Sequence, residues 1–164
     1  MKKYLLLIGI LSLLFSSCWT WSVRVFDDST PEEKTARLFP YDVGTVTEYN
    51  GITVNWKKSY SLDDKLIQIP AGETLLQFDV NSRLYFSNYS FTVRGENILF
   101  RYNFQPQKTY VFHLVFHSNS GIYGLNVYAY NYGESMRDLR RPSRRRLVEF
   151  VPFLNGNELR EAVF

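Results

Sequence analysis

The chain has 164 residues, 45% of them hydrophobic and 21% charged, the balance of an ordinary globular protein and not of a disordered or collagen-like one. A single cysteine, Cys18, excludes an intramolecular disulfide framework, a zinc ribbon or an iron-sulfur cluster, and the two histidines leave little for metal chemistry, so no cofactor is expected. The formal net charge of +3 drops by two if Lys2 and Lys3 are removed with a leader, so global charge singles out no partner, while an aromatic content of 17% favours strands over helices.

Met1-Lys2-Lys3, followed by the uncharged run Tyr4 to Phe15, has the basic and apolar regions of a secretory signal peptide and is short for a transmembrane helix. It ends Leu14-Phe15-Ser16-Ser17-Cys18, which resembles a bacterial lipobox, with small residues ahead of a cysteine whose thiol accepts a diacylglyceryl group. Phe15 stands where most lipoproteins carry Leu, Val or Ile, as in the looser boxes of spirochaete lipoproteins. The expectation is a signal peptide over 1–17, lipidation (palmitate and related chains) at Cys18, and an exported protein held at a bacterial membrane, on its periplasmic face or at the cell surface. An anchor of two or three acyl chains holds firmly, since each buried methylene contributes about 0.8 kcal/mol. Trp19 and Trp21 would lie beside it, at the membrane interface or docked on the domain.

Residues 18–36 read as a tether, with Pro31 positioned to open one helical turn through Glu32 and Glu33. The body, 37–133, then alternates short β-rich runs with turn signals. Gly44 to Tyr49 and Ile52 to Trp56 flank Asn50-Gly51, a strong hairpin signal, which puts Tyr49, Ile52, Val54 and Trp56 on one side and Val46 on the other unless a bulge intervenes. Lys65 to Ile69 leads through Pro70-Ala71-Gly72-Glu73 into Thr74 to Val80, where Leu76, Phe78 and Val80 alternate with polar residues. Tyr89 to Arg94 ends at an expected turn, Gly95-Glu96-Asn97. Ile98 to Phe104, Thr109 to His117 and Ile122 to Tyr130 follow, with Tyr110, Phe112, Leu114 and Phe116 sharing one face. About eight strands at this spacing predict an all-β fold, an antiparallel sandwich. Residues 134–164 form a basic extension packing on the sandwich: a helical turn between Glu134 and Arg141, a strand at Leu147 to Val151, a turn at Asn155-Gly156, and a short helix from Glu158.

The run Tyr49-Asn50-Gly51-Ile52-Thr53-Val54 with Leu66-Ile67-Gln68-Ile69-Pro70-Ala71-Gly72-Glu73-Thr74-Leu75 resembles small sandwich modules of bacterial envelope proteins, the PEGA and transthyretin-like domains. Pro31-Glu32-Glu33, the Asn50-Gly51 and Ile69-Pro70-Ala71-Gly72 turns, and the Phe104 to Tyr110 spacing resemble a set of Treponema-type spirochaete lipoproteins. The likeness covers roughly 30–132 and rests on turns. It implies a fold and an envelope location and carries no catalytic residues.

His113 and His117, four apart on a strand, are separated by about 13 Å, too far to share a metal ion. No Gly-x-Ser-x-Gly elbow or phosphate loop is present, and Asp27-Asp28, Glu32-Glu33 and Asp63-Asp64 lie in polar loop-like stretches. The chain is therefore read as not an enzyme; the alternative is an envelope hydrolase of glycosidase type, using two carboxylates that the fold assembles. Arg137, Arg140, Arg141, Arg144, Arg145 and Arg146 form the sharpest local anomaly, either a patch for phosphate headgroups, anionic glycans or an acidic partner, or a solvated loop paired with the domain's own acids. An exported chain seldom meets nucleic acid, so none is expected. Tyr123, Tyr128, Tyr130 and Tyr132 are either an aromatic surface for a sugar or protein partner or cross-strand core pairs.

Overall fold

The structure is a computed structural model that describes residues 22–25, 29–54, 66–85, 90–134 and 136–162. Cys18, Trp19, Trp21, Trp56, Asp27-Asp28 and Asp63-Asp64 lie outside them. Two sheets pack face to face as an all-β sandwich-like fold. The strands are β1 (Ser22–Arg24), β2 (Thr35–Phe39), β3 (Gly44–Tyr49), β4 (Ile52–Thr53), β5 (Leu66–Pro70), β6 (Gly72–Tyr85), β7 (Ser90–Phe104), β8 (Lys108–His117), β9 (Ile122–Asn131), β10 (Leu147–Pro152) and β11 (Arg160–Ala162), with one short helix, α1 (Met136–Arg140). Sheet A has six strands in the order β1-β5-β2-β8-β9-β10, and sheet B has five in the order β11-β7-β6-β3-β4.

Sheet A is mixed, not wholly antiparallel as the strand spacing suggests: β1 runs parallel to β5, and β2 parallel to β8. β1 and the first two residues of β2, Thr35 and Ala36, lie in the stretch read as a tether, so the domain begins earlier than residue 37. Pro31 opens a single 3-10 turn, Glu32–Lys34, and the chain goes straight into β2, whose Ala36 and Leu38 are fully buried.

The Asn50-Gly51 hairpin forms as expected, with Tyr49 paired to Ile52 and positive φ at both turn residues (47° and 79°), the signature of a type I′ turn. Its facing differs. A bulge between Val46 and Glu48 inserts Thr47, so Val46 and Tyr49 both turn into the core; Ile52, paired with Tyr49 but on the edge strand β4, is exposed. The expected turn at Gly95-Glu96-Asn97 is likewise a bulge, inside the single 15-residue strand β7. Odd positions point inward before it (Phe91, Val93) and even positions after it (Ile98, Phe100, Phe104), because one extra residue reverses the side-chain alternation.

Core formation is aromatic. Phe78 and Phe100 from sheet B meet Phe112 from sheet A edge-on or tilted at 6.1 and 5.4 Å between ring centres, arrangements that satisfy the ring quadrupoles. Phe153 completes the group, 6.4 Å from Phe78 and 6.3 Å from Phe100.

Phe153 belongs to the C-terminal segment, which is more than an extension resting on the sandwich. β10 adds to the edge of sheet A beside β9; the chain then crosses, with Leu154 N–H bonded to the Leu99 carbonyl, and β11 adds to sheet B beside β7. The helix expected from Glu158 is a 3-10 turn, Gly156–Glu158, followed by this strand. Two glycines make room for the strap. A Cβ on Gly124 would stand 2.4 Å from the Val151 carbonyl oxygen, and one on Gly95 would stand 2.7 Å from the Leu159 side chain.

Replacing Phe153 by Ala removes the ring that seals this side and leaves a cavity between the sheets. The expected loss is about 3 to 5 kcal/mol, the usual range for a buried Phe, read as a lower urea midpoint at unchanged slope; a loss under about 1 kcal/mol would show that the strap is not part of the core.

Candidate functional site

The outward-facing side of sheet A gathers most of the chemistry in the described residues. Alternation along β2, β5, β8 and β9 turns Ala36, Leu38, Ile67, Ile69, Phe112 and Val127 into the core and leaves Arg37, Phe39, Leu66, Gln68, Val111, His113, Tyr128 and Tyr130 on the other face. After β9 the chain folds back over this face as α1. Leu139, 1% exposed, sits in a second apolar cluster with Phe39, Leu66, Val111 and Tyr130. A helix of five residues has little stability alone, so this buried leucine is what holds it in place.

At one end of the face lies a polar network. Gln68 Nε2 donates to Thr35 Oγ1 at 2.7 Å, Tyr132 Oη donates to the Thr35 carbonyl at 2.8 Å, and Arg24 Nε donates to Gln68 Oε1 at 3.2 Å. Arg37 stacks on the Tyr132 ring at 4.2 Å and reaches the Glu32 carboxylate at 2.7 Å. Buried Thr35 and Gln68 are thus satisfied, as polar groups out of water must be. At the other end His113 Nδ1 lies 3.0 Å from Asp42 Oδ2, with the rings of Tyr41 and Tyr128 about it at 5.6 and 5.5 Å. His117 packs on Phe150 at 4.2 Å. The two histidines serve separate neighbours, and among the described residues no group of His, Cys, Asp and Glu is placed to hold a metal ion.

The four tyrosines do not form an exposed aromatic surface. Tyr123 points between the sheets against Phe116, and Tyr130 is buried in the cluster containing Leu139. Tyr128 is half-buried beside that cluster, and Tyr132 is held by Thr35 and Arg37. The odd residue Tyr123 and the even residues Tyr128 and Tyr130 lie on opposite faces of β9, so no single ligand could touch all four.

All six arginines of 137–146 are at the surface. They are not equivalent. Arg146 bonds to Glu134 at 3.1 Å and lies over the Tyr130 ring at 5.5 Å, which makes it a strut, and Arg140 is engaged as well. The side chains of Arg137, Arg141, Arg144 and Arg145 have no ion pair or hydrogen bond among the described residues.

On the outer face of sheet B the β7 bulge opens a cleft of about 550 Å³ lined by Thr45, Asp79, Asn81, Arg94 and Glu96. Asp79 Oδ1 accepts from the Asn97 backbone N–H at 3.3 Å, and both carboxyl-bearing residues are exposed. Exposure is the opposite of the apolar setting in which a carboxylic acid serves as general acid.

The residues that the sequence reading missed are Asp42 and Leu139. Neither stands in a motif: Asp42 follows Pro40-Tyr41 in a turn, and Leu139 is a lone leucine among arginines. Comparison with family models, with curated proteins and with solved structures gives no match. Among the described residues no helix is long and apolar enough to cross a membrane.

Burial raises the hydroxyls of Tyr49, Tyr102, Tyr110, Tyr130 and Tyr132 above the ordinary tyrosine value, with the Glu149 carboxylate adding to the effect at Tyr102. A group whose pKa is raised by folding contributes stability that is present below its unfolded pKa, about 10 for tyrosine, and lost as pH climbs through the folded value. Stability is therefore expected to fall as pH rises above about 10, and absorbance titration near 295 nm should show part of the tyrosine signal appearing only above the ordinary tyrosine range, about pH 10. Titration of all tyrosines of the folded chain within that range would contradict it.

Proposed function

We propose that this chain is an exported lipoprotein of the bacterial envelope, anchored through acylated Cys18, whose sandwich binds a protein or glycan partner or has a structural role without catalysis. The observation that carries the reading is the run Leu14-Phe15-Ser16-Ser17-Cys18 at the end of a basic and then apolar leader. Ser22, the first residue of β1, is only four positions beyond that cysteine, which leaves room for a short tether and no further domain between anchor and sandwich. The turns that resemble spirochaete envelope modules support the same reading, since the hairpin at Asn50-Gly51 forms and Pro70-Ala71-Gly72 carries the chain from sheet A to sheet B.

The alternative, an envelope hydrolase, has its nearest counterpart in the cleft holding Asp79 and Glu96. Their exposure beside Arg94 suits a polar contact surface better than a protected pair of acid and base. Release of sugar from envelope glycans that is abolished by Asp79→Asn or Glu96→Gln would favour the hydrolase.

Metabolic labelling with a fatty-acid analogue in a bacterial host is expected to mark the wild-type chain and to leave Cys18→Ala unlabelled. Label that survives the substitution would overturn the lipid anchor.

A further inference from the structure

The geometry points to the segment 137–148 as a membrane-facing surface that rests on anionic phospholipid headgroups. Four guanidinium groups, Arg137, Arg141, Arg144 and Arg145, are exposed and free of partners among the described residues, while the only carboxylate within 137–146 is Asp138. Directly after them Leu147 and Val148 are 42% and 53% exposed. Positive charges with apolar side chains alongside are what an interfacial lipid contact needs: the charges meet headgroup phosphates, and the apolar groups reach the boundary of the acyl chains.

This segment is a fixed platform. Leu139 is buried in the sheet A cluster, Arg146 is braced by Glu134 and Tyr130, and Ser143 Oγ accepts from the Arg145 backbone N–H at 3.3 Å to cap the 3-10 turn Arg144–Arg146. The guanidiniums are thereby presented together, without the ordering cost that a loose loop would incur on binding.

Position selects a membrane over an acidic protein or a free glycan, a choice that rests on the lipid-anchored reading. Leu66, in the same cluster as Leu139, is the register partner of Ser22. Four residues of chain reach at most about 14 Å, so an acyl group on Cys18 would bring this corner of sheet A to the bilayer, and the arginine-bearing face with it. The acyl chains would hold the protein there, and the arginines would set which face it turns to the lipid.

Co-sedimentation of the full chain carrying Cys18→Ser tests this without any acyl group, so that the outcome is independent of whether the wild type is lipidated. The vesicles are phosphatidylcholine alone, or phosphatidylcholine mixed with phosphatidylglycerol; the leader, with Lys2 and Lys3, is common to every variant, so its contribution drops out when variants are compared on the same vesicles. Binding is expected to be stronger to the anionic vesicles and to weaken with added salt. A basic residue near an anionic leaflet is worth roughly fivefold in partitioning, so changing all four free arginines to Gln should lower anionic binding on the order of several hundredfold. The thermal midpoint should stay nearly unchanged, since among the described residues these side chains make no ion pair or hydrogen bond. If that variant does not fold, the pairs Arg137→Gln with Arg141→Gln and Arg144→Gln with Arg145→Gln carry the test. The loss of two charges on sheet B, Arg94→Gln with Arg160→Gln, matched against either of these pairs, should leave anionic binding nearly as it was. Equal binding to both vesicles, equal loss from the sheet B pair, or retention on heparin without preference for anionic vesicles would overturn the assignment.

Discussion

The interior between the two described sheets is arranged around the contact of Phe78, Phe100, Phe112 and Phe153. Two of these rings rise from sheet B, one from sheet A and one from the crossing strap, so a single aromatic group joins every layer. Edge-to-face pairs of this kind add roughly 0.5 to 1.5 kcal/mol each beyond the area they bury. They also impose geometry, because a ring that must meet another edge-on tolerates little sliding of one sheet over the other. The bulges in β3 and β7 serve the same interior: each reverses the alternation of its strand at the place where the next side chains would otherwise face away from the core.

With the interior closed in this way, the two outer faces are free to differ. That of sheet B is a polar ladder, in which Gln77 donates to Asn97 and Asn155 accepts from Leu99 and donates to Glu158. That of sheet A is partly apolar and has to be covered, and the segment after β9 covers it with one leucine while carrying arginines on its outside. The same arginines border β10, an edge strand with exposed Leu147 and Val148, a register shift at its start and Pro152 at its end. Charge, irregularity and proline are the usual means of keeping such an edge from pairing with a second copy. The basic run therefore has a use within the fold, besides any contact it makes outside it.

Much of the architecture is legible in the sequence because the relevant signals are local. Asn50-Gly51 requires two residues at positive φ and forms its turn, and the alternations at Leu76-Phe78-Val80 and Tyr110-Phe112-Leu114 face the core as written. What is not legible depends on partners distant in the chain. Thr35 and Ala36 look like the end of a tether until β5 pairs with them and β2 is held between β5 and β8, and Arg160 to Ala162 looks helical until β7 offers an edge. Gly95-Glu96-Asn97 has the composition of a turn and becomes a bulge because β6 continues alongside it. The candidate site fails in the same way. Tyr123 and Tyr130 are easily counted as one surface from their spacing, yet their parity on β9 sends them to opposite sides, and which arginines are spoken for depends on Glu134 and on the ring of Tyr130.

The strap from Leu147 to Ala162 has a consequence for the order in which the molecule is assembled. It follows every other described strand in the chain, yet it supplies an edge strand to each sheet and the ring that fills the gap between them. A nascent chain lacking it can form the β6–β7 and β8–β9 hairpins, whose partners are adjacent in sequence, but the side of the sandwich along β9 and β7 stays open to water. Closure waits for contacts between residues far apart in the chain, which are slow to form.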